Sequence, residues 1–153
     1  MKLIDEIEDQ FNGIDRYYYQ KEFEASVRNY NRKVQHWQRQ RELNTNAYFL
    51  FLITRLEDHL ITESTKLILK KQATITHWKT RAVWDNLDAA NITYKKRVSL
   101  LTQHNSSEYQ KIVNYYNYRN QLAHGGFVQN IHQNINMIDV FNDMRYFMRV
   151  LKA

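Results

Sequence analysis

The sequence predicts an all-α domain, an up-and-down bundle of about five or six helices. Two observations predict it. Apolar residues recur at three- and four-residue steps along nearly the whole chain, the period of a helix with one buried face. Proline is absent and only three glycines occur in 153 residues, so few positions interrupt a helix, and aromatics at 14% argue against disorder. A chain of this length is read as one domain, 1–153, long enough to bury a core without staples.

The elements follow in order. A first long helical region is expected from Leu3 to about Arg41, with Gly13 as a point of kinking or breaking. Its second part carries the stripe Tyr19, Phe23, Val27, Tyr30, Val34 and Trp37. Asn44-Thr45-Asn46 offers N-cap side chains for a second helix, whose face is Phe49, Ile53, Leu56, Leu60 and Leu67. That helix is expected to end near Lys70-Lys71, where cations suit the negative helix end. A third helix covers about Thr76 to Ala90, and a short piece follows from Tyr94 to Gln103. Asn105-Ser106-Ser107-Glu108 reads as loop and cap for a fifth helix, striped by Tyr109, Ile112, Val113, Tyr116, Asn120 and Ala123. Gly125-Gly126 ends it as a glycine C-cap. The last helix holds Met137, Phe141, Met144, Met148 and Leu151, read as packing or a dimer seam.

Composition excludes several functions. Cysteine is absent, which removes disulfides and thiolate metal sites and fits a reducing cytoplasm. The N-terminus turns acidic at Asp5-Glu6, too soon for a secretory signal. The most apolar run, 47–53, is too short to span a bilayer, so no membrane partner is expected. There is no Gly-rich phosphate loop, no Gly-x-Ser-x-Gly elbow and no pair of histidines four apart. No metal site and no cofactor are therefore expected. The net charge of +6 suits a polyanionic partner, with solubility as the plainer account.

The chemistry concentrates in Tyr118-Arg119-Asn120-Gln121-Leu122-Ala123-His124-Gly125-Gly126. A helix there carries a cation, an amide and an imidazole, then meets a double glycine. Arginine presents a planar fork to phosphate oxygens and stays charged at all working pH. Histidine moves protons near neutrality, and a helix C-terminus favours its charged form. Asn120 falls on the apolar stripe, where an amide needs a partner. Gly125 would let a substrate backbone approach closely.

This string resembles the signature of the HEPN superfamily, an Arg followed after four to six residues by His, often with a polar residue after the Arg. Arg119, Asn120 and His124 fit it, and Ala123 and Gly125 match many prokaryotic members. The resemblance implies a metal-independent endoribonuclease. In such enzymes the RNA 2′-OH attacks its own phosphate and leaves 2′,3′-cyclic phosphate and 5′-OH ends. It further implies a homodimer with two Arg/His pairs facing across a cleft, and a role in toxin–antitoxin or antiviral defence systems. The alternative it carries is a catalytically silent module that binds RNA, nucleotide, or a partner protein such as an antitoxin or a nucleotidyltransferase-like subunit.

The family often adds an acidic residue on an earlier helix. Glu57 lies closer to the apolar side of its helix than Asp58 and is expected to orient Arg119. Tyr115, Lys95, Lys96 and Gly125 are the candidate RNA contacts. Arg97 and His104 also match the bare spacing but are read as structural, with Lys95-Lys96-Arg97 as a solvated face. Arg28, Arg32, Lys33, Arg39 and Arg41 allow either a solvated face or RNA backbone contact. Tyr17-Tyr18-Tyr19 allow either packing or stacking on bases.

Overall fold

A computed structural model describes residues 2–124 and 135–153. Among them are six helices and no strand, an all-α helical bundle. They are α1 (Lys2–Val27), α2 (Asn31–Thr74), α3 (Trp78–Asp85), α4 (Tyr94–Leu101), α5 (Ser107–Ala123) and α6 (Met137–Val150). No helix among the described residues is long and apolar enough to cross a membrane. The chain forms two compact units, Met1–Leu52 with Gln121–Tyr146 and Ile53–Asn120 with Phe147–Ala153.

Two sequence expectations about α1 and α2 are overturned. Gly13 neither breaks nor ends α1, which runs through it. The break comes at Asn29, which adopts the left-handed region with φ 56°. There the Tyr30 amide donates to the Ala25 carbonyl and the Asn29 amide to the Ser26 carbonyl, both at 2.9 Å. This paired closure is a Schellman motif, with asparagine where glycine is commoner. Asn44-Thr45-Asn46 caps nothing. α2 continues through all three for 44 residues, and Thr45 and Asn46 are buried inside it. The local capping signal loses to packing, because the apolar seam beginning at Phe49 draws its own preceding turns into the core.

In the first unit, Ile4, Ile7 and Phe11 of α1 are buried together with Phe49 and Leu52 of α2 and Met137, Val140, Phe141 and Met144 of α6. The Phe11 ring meets Tyr48 edge-on at 5.5 Å and Phe141 at 5.8 Å, so one aromatic joins three helices. Arg145 of α6 pairs with Asp5 at 2.8 Å and also with Glu8, both on α1. The second half of α1 departs from expectation: Tyr19, Phe23, Val27 and Tyr30 are exposed, not a buried stripe.

In the second unit, Ile53, Leu56, Leu60 and Ile68 of α2 are wholly buried, as are Val98 of α4 and Ile112 of α5. Each such side chain contributes about 1.5–3 kcal/mol. Ser106 caps α5, its hydroxyl accepting from the Tyr109 amide at 3.1 Å. Thr93 caps α4 by accepting from the Lys96 amide. The third helix is shorter than expected and exposes Trp78 and Val83. Gln72 of α2 ties down its far end by donating to the Trp84 carbonyl at 2.9 Å. His59 Nε2 donates to the Leu151 carbonyl at 2.8 Å, which fixes that ring's tautomer.

Candidate functional site

Glu57 sits on α2 beside the buried seam, four residues after Ile53 and three before Leu60. That phase turns its carboxylate toward the interior side, while Asp58, one residue on, is exposed. Across from it on α5 stands Arg119. A guanidinium nitrogen of Arg119 lies 3.6 Å from the Glu57 carboxylate, with side chains 31% and 21% exposed. This is an ion pair, too long for a hydrogen bond. A second guanidinium nitrogen donates to Asn120 Oδ1 at 3.1 Å. The amide on the apolar stripe thus finds its partner in its own neighbour. Glu57, Arg119 and Asn120 come together within the second unit, and most of the N–H donors of Arg119 carry no hydrogen bond among the described residues.

Sequence reasoning missed one member of this group. Tyr94, at the first turn of α4, stacks face to face on Tyr116 of α5, with centroids 3.9 Å apart and rings 9° from parallel. Its hydroxyl is buried and makes no hydrogen bond among the described residues. Burial, then the negative charge of Glu57, then Tyr116 push the phenol well above its ordinary range. It is therefore a neutral O–H donor near the Glu57 carboxylate. Its only sequence signal was its place directly after the Thr93 cap, which set its helical phase but not its neighbour on α5.

The other candidates separate. His124 is the first residue beyond α5, exposed in a turn. Gly125 lies outside the described residues, as does the expected glycine cap. Tyr115 is half-buried on α5. Lys95 and Lys96 are exposed and follow Tyr94 directly in α4.

Arg97 corrects the reading of Lys95-Lys96-Arg97 as one solvated face. It is buried, donating to Ser64 Oγ at 3.0 Å and to the Ala89 carbonyl at 2.7 Å. Those bonds tie α4 and the preceding loop to α2, a structural task. His104 is exposed, packed edge-on to Tyr109 and within 3.3 Å of Ser99 Oγ. The second Arg/His spacing therefore holds no shared site.

Chemically, the group offers a cation held by a carboxylate, an amide and a neutral phenol. That set suits an oxyanion with a planar or hydroxylated neighbour, such as a sugar phosphate. No three His, Asp or Glu side chains among the described residues converge as metal ligands. Comparison of the chain with protein-family models, with curated proteins and with solved structures finds no match.

Proposed function

We propose that this chain is an endoribonuclease of the HEPN type that cleaves RNA without a metal ion. The observation that carries the reading is the clamp on Arg119. A carboxylate from α2 and an amide from α5 hold the arginine of an Arg-Asn-x-x-Ala-His-Gly string. A bare Arg/His spacing occurs by chance, as Arg97 and His104 illustrate. An arginine held by charge but with donors to spare is what a phosphate-binding role requires.

In this reaction the RNA 2′-oxygen forms a bond to the adjacent phosphorus and the bond from phosphorus to the 5′-oxygen breaks. The products are a 2′,3′-cyclic phosphate and a 5′-hydroxyl. Arg119 takes the charge that builds on the phosphate oxygens. His124 serves proton transfer, from the 2′-OH or to the departing 5′-oxygen. Asn120 positions, and Glu57 orients Arg119. Lys95, Lys96 and Tyr115 contact the strand. Two copies act together, and a toxin or defence role, with an antitoxin or nucleotidyltransferase-like partner, follows from the same resemblance.

The test is incubation with structured and unstructured RNA in EDTA, with Arg119→Ala and His124→Ala in parallel. Cyclic phosphate ends from the parent and from neither variant are expected. An all-deoxy analogue must resist cutting, since it lacks the attacking group. Cleavage that survives both substitutions, or that needs a metal, removes this mechanism. A folded parent that binds RNA and cuts none of it leaves the silent binding module in its place.

A further inference from the structure

The α1–α2 hairpin carries a second feature, independent of the ribonuclease reading and made of different residues. Beside the Asn29 turn lies a cleft of about 320 Å³. Its walls include Arg28, Lys33, His36, Tyr30 and Trp37, and its floor includes buried Ala25. The Schellman closure builds it, because the Tyr30-to-Ala25 bond folds the start of α2 back over the last turn of α1.

The charge in this cleft is unbalanced. Glu24 is its one carboxylate, and Lys21 already engages it at 2.9 Å. That bond first, with Lys21's charge behind it, holds the Glu24 carboxyl below its ordinary range, so the pair stays formed. Arg28 and Lys33 have no carboxylate within salt-bridge distance among the described residues. The chain has no Asp or Glu between Glu24 and Glu42, while Arg28, Arg32, Lys33, Arg39 and Arg41 all fall there. Two of those five are spent elsewhere, Arg41 on Asp15 and Glu22 and Arg39 on Glu42.

The aromatic side is also set. The Trp37 ring is buttressed by Tyr18, stacked at 5.9 Å, and by His36 edge-on at 4.9 Å. Tyr30 is half exposed at the rim, with the Lys33 ammonium 5.2 Å from its ring centre. Held rings beside unpaired cations match one ligand chemistry: a flat base joined to a phosphate. A lone anion has no use for the rings, and the Asp and Glu side chains of an acidic peptide supply no aromatic face.

We propose that the hairpin cleft binds a nucleotide unit of single-stranded nucleic acid, phosphate on Arg28 and Lys33 and base against Tyr30 and Trp37. It is a holding site with no part in bond breaking.

The experiment measures anisotropy of a labelled all-deoxy 12-mer with the full chain in EDTA, over a range of salt. Arg28→Gln with Lys33→Gln should weaken binding at least about tenfold and flatten the log–log salt slope by about 1.4, at roughly 0.7 per lost phosphate contact on a single strand. Tyr30→Ala, at an exposed position that the fold tolerates, should weaken it about 5- to 150-fold and leave the salt slope unchanged. Trp37→Ala should do the same where it folds. Arg119→Ala and His124→Ala should leave this component of binding in place, which separates the cleft from the ribonuclease site. Loss of binding in Arg119→Ala with none in the hairpin variants would overturn the cleft and leave the ribonuclease reading standing. Competition by inorganic polyphosphate as strong as by an oligonucleotide of equal charge would overturn the base contact. Selective binding to anionic lipid vesicles, with no oligonucleotide binding, would overturn the proposal outright.

Discussion

Tyr94→Phe should make this protein more stable. The substitution removes one oxygen and leaves the ring where it is, stacked 3.9 Å from Tyr116. The oxygen it removes is shielded from solvent and makes no hydrogen bond among the described residues. A buried hydroxyl without a partner costs about 1–3 kcal/mol. The low end applies, since the residue as a whole keeps partial exposure, so the expected gain is about 1 kcal/mol. In a chain of this size that raises Tm by roughly 2–4 °C. Thermal melts followed at 222 nm, with urea midpoints beside them, measure it. The pH dependence supplies a second readout. The phenol's pKa is raised in the fold above its ordinary 10.0. The folded protein therefore keeps a proton that the unfolded chain releases above about pH 10. Stability from this group is whole below that pH and falls as pH climbs toward the folded value. Tyr94→Phe should lose less stability than the parent in that alkaline range. A variant less stable than the parent by 1 kcal/mol or more would show that the hydroxyl is bonded in the folded protein and would refute the reasoning. If the site works as proposed, the same variant should also cleave more slowly, since a donor kept unpaired beside Glu57 is a donor kept for substrate.

Glu57→Gln should slow cleavage about 10- to 100-fold by loosening Arg119, while changing stability by no more than about 1 kcal/mol, as expected for a partly exposed pair; cleavage rates and urea midpoints on one preparation decide it. Arg97→Ala should destabilise by about 2–4 kcal/mol, read in urea, because it strips partners from buried Ser64 and the part-buried Ala89 carbonyl. The folded fraction should keep its specific activity, which contrasts it with Arg119. Asn29→Gly should be neutral or stabilising by a few tenths of a kcal/mol, and Asn29→Ala should cost about 1 kcal/mol, because the position has φ 56°.

Helical periodicity is enough to read the fold class and to place α4 and the start of α5 closely, because polar loop-and-cap residues such as Ser106 precede an apolar stripe there, while α3 ends five residues short of the expected Ala90. It misplaced the boundaries before Thr74. Gly13 reads in sequence as a breaker, yet a single glycine in a helix costs only about 1 kcal/mol, and α1 absorbs it. Asn29 carries no such signal, since an asparagine that takes the left-handed region looks in sequence like any polar helix residue. Asn44-Thr45-Asn46 had the right chemistry for a cap, but a cap forms only where the chain turns. Here α2 runs on through all three residues, 44 residues in all.

The site divides along the same physical line. Arg119, Asn120 and His124 stand out as candidates because they follow one another along the end of one helix; the fold brings Glu57 to Arg119 and Asn120 and leaves His124 exposed beyond the helix end. Glu57 was reachable through helical phase, since a residue beside Ile53 and Leu60 must face inward more than its neighbour does. Tyr94's stacking on Tyr116 was not reachable, because it exists only where two helices meet, and the sequence offered Arg28 and Lys33 as cations without the rings the hairpin sets beside them. The stripe Tyr19, Phe23, Val27 and Tyr30 shows why. Its spacing is that of a core face, and in the fold it is exposed. Apolar period reports that a helix has one apolar face, and says nothing about what covers that face. Of that stripe only Tyr30 lines the cleft with Arg28 and Lys33, and under the proposal above it is there that an open ring and open charge serve one ligand.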